Sequence, residues 1–122
     1  MEIQPAIRVI MMPRDTNAFG TIFGGVILSY IDLAGAVEAK KYTEHRVVTV
    51  AMHEVVFVSP VFVGDLVSFY ASLVRVGKTS ITVKVLVEAT RSGETPTQVR
   101  VTEAEVVYVA LDARNQPTVI TT

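Results

Sequence analysis

Between Asp15 and Gly35 the sequence reads DTNAFGTIFGGVILSYIDLAG. Asp32 is a lone carboxylate in an otherwise apolar run, a costly placement unless the group is exposed, paired or used. Gly24 and Gly25 stand where that run begins. A helix starting there has unpaired N–H groups and a positive dipole end. Glycine lets a substrate oxygen come close to those donors. Donors of this kind, aimed at a developing oxyanion, are worth about 2.7–4 kcal/mol each where they have been removed. Asn17 adds an amide able to orient water or substrate; by residue type alone it is a turn former. Carboxylate, free N–H groups and amide together are parts for attack on a carbonyl.

These residues need a scaffold. Residues 3–12 read as a first strand, with Pro5 near its start, where a missing N–H is tolerated. Pro13 to Gly20 is a loop. A helix follows over about residues 25–42, apolar nearly all round its first three turns and therefore buried. Lys40 and Lys41 in its last turn suit the negative dipole end. Gly35 inside it costs about 1 kcal/mol against alanine, which implies close packing on another backbone. Valine-rich and alternating stretches then predict strands at 46–60, 66–76, 81–91 and 99–112. They are joined by a turn at 63–65, a connection at 77–80 and a hairpin loop at 92–98, and a polar tail ends the chain. An antiparallel sheet has one face to cover, and a helix apolar all round needs more than one flat face. Both needs are met by an α+β arrangement in which a five-stranded antiparallel sheet curls around one long N-terminal helix, as a single domain over residues 1–122.

The composition narrows the functions. With 122 residues, one domain is the natural count. Half the residues are hydrophobic and 19% are charged, so part of the apolar surface is expected between subunits. A net charge of −1 argues against a nucleic-acid partner. No apolar run is long enough to span a bilayer, and the N-terminus, with Arg8 inside its apolar part, does not read as a signal peptide. The absence of cysteine removes disulfides, thiolate nucleophiles and thiolate metal sites, and two histidines, His45 and His53, do not make a metal site. Cytoplasm is the expected compartment.

The residues also carry a resemblance. MPRDTNAFGTIFGGVILSYIDLAG resembles the start of the hotdog-fold acyl-CoA thioesterases, above all the small bacterial acyl-CoA hydrolases, whose pattern of Asn, Gly, Gly-Gly and Asp falls here on Asn17, Gly20, Gly24, Gly25 and Asp32. VVTVAMHEVVFVSPVFVGDLV, VGKTSITVKVLV and TEAEVVYVALD resemble the family's later strands and turns, so the likeness covers nearly the whole chain. It implies the hotdog fold and hydrolysis of acyl-CoA thioesters, with coenzyme A part of substrate and product, and no cofactor or metal. It implies a site at a dimer interface, with Asp32 as general base or nucleophile and Asn17 reaching it from the other subunit. Gly24 and Gly25 would polarise the carbonyl. Residues alone do not choose between Asp32 activating water and attacking directly. The turn Gly77, Lys78, Thr79, Ser80 is a candidate coenzyme A contact, with Lys78, Arg75 and Arg91 as candidates for its phosphates. Tyr30, Leu28 and Phe57 are candidates for lining an acyl slot between helix and sheet. The assembly is at least a homodimer, by analogy a hexamer or a tetramer.

Two other functions fit the same fold. An enoyl-thioester hydratase or dehydratase needs a histidine beside the helix. The helix has none, and His53 sits on a strand where relatives carry an acid. Phe23, before the glycine pair, stands where relatives carry histidine, so no imidazole assists there. A non-enzymatic acyl-CoA-binding protein is the other alternative, but the DNA-binding segment that such regulators append is not seen in this chain.

Overall fold

The computed structural model describes residues 3–120. In chain order its elements are β1 (Ile7–Ile10), a 3-10 turn (Pro13–Asp15), α1 (Gly24–Ala39), β2 (Arg46–His53), β3 (Leu66–Val76), β4 (Ser80–Arg91) and β5 (Thr97–Leu111). The strands form one sheet in the order β1-β3-β4-β5-β2, and every neighbouring pair is antiparallel. The long strands β3, β4 and β5 are its centre, and α1 packs against them and against β2. Ile27, Ile31 and Ala34 of α1 are buried together with Phe69 of β3, Val83 and Val85 of β4 and Tyr108 of β5. Full burial of a side chain such as Ile31, 0% exposed, is worth about 1.5–3 kcal/mol.

The helix is not buried all round. Leu33 is 54% and Val37 51% exposed, and on the edge strand β2 Val48 and Val50 are exposed as well. The apolar character seen in the sequence therefore serves two surfaces, one facing the sheet and one facing outward. The helix is also shorter than predicted: it ends at Ala39, with Lys40 as its C-cap. Lys40 and Lys41 lie beyond its last turn. The Lys40 ammonium donates to the His45 carbonyl at 2.6 Å and ties down the following loop.

Three further expectations are corrected. The first strand is confined to Ile7–Ile10. The predicted strand 46–60 stops at His53 because Glu54 takes a left-handed conformation, φ 53°, which ends a ladder for any L-residue. The chain beyond stays beside β5 without joining it: Thr102 Oγ1 donates to the Val56 carbonyl at 2.7 Å, and the Val58 N–H to the Val101 carbonyl at 2.8 Å. The polar tail is folded down. Thr118 donates to the Ala110 carbonyl and Ile120 to the Lys78 carbonyl, and Ile120 is 2% exposed.

Candidate active site

The loop before α1 is organised by Asn17. Its side-chain oxygen accepts the Phe19 N–H at 2.8 Å and the Thr21 N–H at 3.3 Å, while its amide donates to Thr21 Oγ1 at 2.7 Å. Gly20 completes the turn at φ 89°, where glycine is favoured. One of the two amide N–H groups of Asn17 is used in this way; the other has no partner among the described residues. The loop delivers the chain to the start of α1, where the Phe23 N–H donates to the Asp15 carbonyl at 2.8 Å.

The N-cap of α1 is Phe23, which makes no side-chain cap, and the first turn carries no acidic residue. The first N–H groups, those of Gly24 and Gly25 among them, therefore keep their donor capacity and positive potential. Gly24 borders a cavity of about 360 Å³, with Thr21, Ile27, Phe57, Ser59 and Val61 also in its wall. A side chain at Gly25 would collide with the Phe23 ring, 2.5 Å from the Cβ position.

Asp32 is held from two sides. Its Oδ1 accepts a short hydrogen bond from Thr49 Oγ1 of β2. Its main-chain carbonyl accepts the Tyr108 hydroxyl of β5 at 2.6 Å. Thr49 and Tyr108 face each other across the β2–β5 ladder, so one rung of the sheet grips one helical residue. Asp32 Oδ2 has no partner among the described residues. Burial, and next the charge of Asp32, push the ionisation of the Tyr108 phenol well above its usual range.

Thr49 and Tyr108 were not singled out from the sequence. Thr49 sits in a valine-rich run that signals only a strand, and the pairing of β2 with β5 joins segments far apart in the chain. Gly35 did carry a signal. A Cβ there would lie 2.2 Å from the Tyr108 hydroxyl, so the close packing is real, but against a side chain and not a backbone.

The other predicted residues separate. Within one chain Asn17 and Asp32 are not brought into contact: their hydrogen bonds go to Phe19 and Thr21 on one side and to Thr49 and Tyr108 on the other. The turn at Gly77, Lys78, Thr79 and Ser80 is tied to β5 and the C-terminal segment. Gly77 donates to the Ser80 carbonyl, and the Thr79 carbonyl accepts from Ala110. Lys78 and Arg75 are exposed there. Arg91 is committed elsewhere: it donates to the Pro60 carbonyl, lies 3.4 Å from the buried Asp65 carboxylate and stacks 4.8 Å from the Phe62 ring centre. It is a structural clasp, not a free phosphate ligand. Of the predicted slot residues, Phe57 lines the cavity beside Gly24. Tyr30 packs on Phe69, with ring centroids 5.5 Å apart, and Leu28 packs against the core. The cavity that Phe57 lines lies at the helix start. A larger open groove of about 620 Å³, walled by His53, Glu54, Arg100 and Glu105, contains none of the predicted catalytic residues.

A curled five-stranded antiparallel sheet around one helix defines a hotdog protein, and here that helix carries an anchored carboxylate and an uncapped N-terminus. The chain belongs to the thioesterase superfamily, whose family model matches residues 19–95. It is 42% identical over 113 residues to the acyl-CoA thioester hydrolase YciA of Salmonella typhimurium, covering 91% of this chain and 85% of that protein. Cj0915 of Campylobacter jejuni, a hexameric hotdog-fold thioesterase, superposes with a TM-score of 0.91 at 45% identity, over 96% of this chain and 90% of that one. An aspartate-to-alanine mutant of HI0827, a hexameric broad-specificity acyl-coenzyme A thioesterase, also superposes at 0.91, with 38% identity over 98% and 87% of the two chains.

Proposed function

We propose that the protein hydrolyses acyl-CoA thioesters to free acid and coenzyme A, with Asp32 as its catalytic carboxylate. The observation that carries the reading is the state of that group. Thr49 fixes one oxygen and the other is left open, as required of a base that takes a proton from water or of a nucleophile that attacks the carbonyl. Both roles end in the same products: the thioester C–S bond breaks, water supplies the acid oxygen, and coenzyme A leaves as a thiol. Coenzyme A is part of the substrate and is released as a product, and the reaction as proposed calls for no cofactor or metal.

Distance supports a site shared by two subunits. Gly25 and Asp32 are seven residues apart on α1, which is about 10 Å along a helix. A carbonyl oxygen held by the N–H groups of Gly24 and Gly25 has its carbon much closer than that, and a reacting group must stand about 3–3.5 Å away. The carboxylate that serves this helix start therefore comes from a second copy. Leu33 and Val37 on α1 and Val48 and Val50 on the edge strand β2, all exposed, are the surface proposed to receive it. In that assembly Asn17 and the glycine pair of one subunit face Asp32 of its partner. Solved relatives are hexameric thioesterases, which supports a hexamer as the assembly. The cavity beside Gly24 is the proposed acyl slot, the turn 77–80 with Lys78 and Arg75 the proposed coenzyme A contact, and the cytoplasm the proposed compartment.

The test is thiol release from acyl-CoAs running from acetyl to palmitoyl, with wild type and Asp32→Asn side by side. The chain contains no cysteine, so a thiol reagent reads released coenzyme A alone. Turnover by wild type and its loss by about 100-fold or more in a folded Asp32→Asn support the reading. Binding of coenzyme A without turnover of any thioester would replace it with an acyl-CoA-binding role.

A further inference from the structure

Tyr108 has an unusual task for a core aromatic. It is 1% exposed, yet its hydroxyl does not bond to the sheet around it. It donates to the main-chain carbonyl of Asp32 in the middle of α1, at 2.6 Å. That carbonyl belongs to a helix and has its own N–H partner one turn on, so the phenol is not there to satisfy it. The contact exists only because residue 35 is glycine, since a Cβ there would stand 2.2 Å from the hydroxyl oxygen and 3.0 Å from Cζ. Glycine inside a helix gives up about 1 kcal/mol against alanine. The sequence accepts that loss one turn from Asp32 and places a phenol against the same backbone. Opposite Tyr108 in the ladder, Thr49 holds the Asp32 carboxylate. One rung thus fixes both the side chain and the main chain of the same residue.

We propose that Tyr108 is a positioning residue for thioester hydrolysis, setting the height and rotation of α1 over the sheet so that Asp32 meets the scissile carbonyl, with Gly35 supplying the space that admits its hydroxyl. The proposal rests on the hydrolase reading above. The phenol never touches substrate; it acts through Asp32. Burial and the Asp32 charge hold it protonated, so it remains a donor across the pH range of an assay.

The experiment compares wild type, Asp32→Asn, Tyr108→Phe, Gly35→Ala and the Gly35→Ala/Tyr108→Phe double variant, measuring kcat and KM for coenzyme A release and a melting curve for each. Tyr108→Phe keeps the ring and should stay folded. Its kcat should fall about 10- to 100-fold, the cost of a small misplacement of a reacting group, with KM within about twofold. Gly35→Ala should do the same, and the double variant should lose little beyond the worse single, because both act on one contact. An unchanged kcat in Tyr108→Phe overturns the proposal, and an inactive Asp32→Asn beside it leaves the hydrolase reading standing. Activity lost only in proportion to the unfolded fraction also overturns it. A fully active Asp32→Asn removes both readings. If Tyr108→Phe fails to fold, Gly35→Ala decides: a folded protein with reduced kcat and unchanged KM sustains the proposal, and any other result overturns it.

Discussion

Asp32 owes its orientation to a hydroxyl. Thr49 Oγ1 holds one carboxylate oxygen, so Thr49→Val, which keeps the shape and removes the donor, frees the carboxylate to rotate. A fall in kcat of about 10-fold is expected, the cost of a small misplacement of a reacting group, together with a melting temperature lower by several degrees, since a hydrogen bond to a charged group stabilises by about 1.5–3 kcal/mol; steady-state kinetics and a melting curve check it. Tyr108 makes a prediction in pH. Its ionisation is pushed up in the fold, first by burial and then by the Asp32 charge, while in the unfolded chain it ionises near its ordinary value of about 10. The stability tied to this group is therefore fully present below about pH 10 and is lost as pH rises toward the folded-state value. Urea unfolding at rising alkaline pH should show wild type weakening more steeply than Tyr108→Phe. Asp32 stood out in the sequence as a carboxylate in an apolar run and Gly24 and Gly25 as the pair that opens it, whereas Asn17, a turn former by type, stood out only through the pattern around it. Thr49 and Tyr108 were not, because a threonine and a tyrosine among strand valines are ordinary, and their meaning comes from a register that local pattern does not contain.

At the level of elements, alternation and valine content were enough to find β3, β4 and β5 nearly in full, and the glycine pair marked the start of α1. The failures have local causes. β2 continues in composition past His53, but Glu54 breaks it with a conformation that residue type does not announce. Glu54→Gly should be neutral or stabilising, whereas Glu54→Val, β-branched at a positive φ, should cost about 1–3 kcal/mol; urea denaturation of the two variants reads the difference. The segment that leaves β2 is held down by Arg91, which bonds the Pro60 carbonyl, faces Asp65 and stacks on Phe62. Arg91→Ala should destabilise by about 1–3 kcal/mol, because it strips a buried carboxylate of its cation. The same measurement should find Lys78→Ala unchanged in stability, and kinetics should find its KM for acyl-CoA raised.

For the whole molecule, the apolar content of the sequence predicted hidden surface between subunits, and the exposed apolar residues of α1 and β2 are the surface proposed to meet a second copy. Leu33→Arg places a charge on that face. It should shift the protein toward smaller species in sedimentation and abolish activity while leaving the protomer folded by circular dichroism. The most direct test of a shared site is complementation between two dead variants. Asn17→Ala and Asp32→Asn are each expected to be inactive as homo-oligomers. Unfolded together in equal amounts and refolded, they form mixed dimers in which one of the two sites takes its asparagine and its aspartate from the undamaged halves. Thiol release should return to about one quarter of the wild-type rate, the share of sites left whole by random pairing across a two-fold axis. A mixture that stays as inactive as its parents would contradict the account, placing Asn17 and Asp32 in one subunit's site.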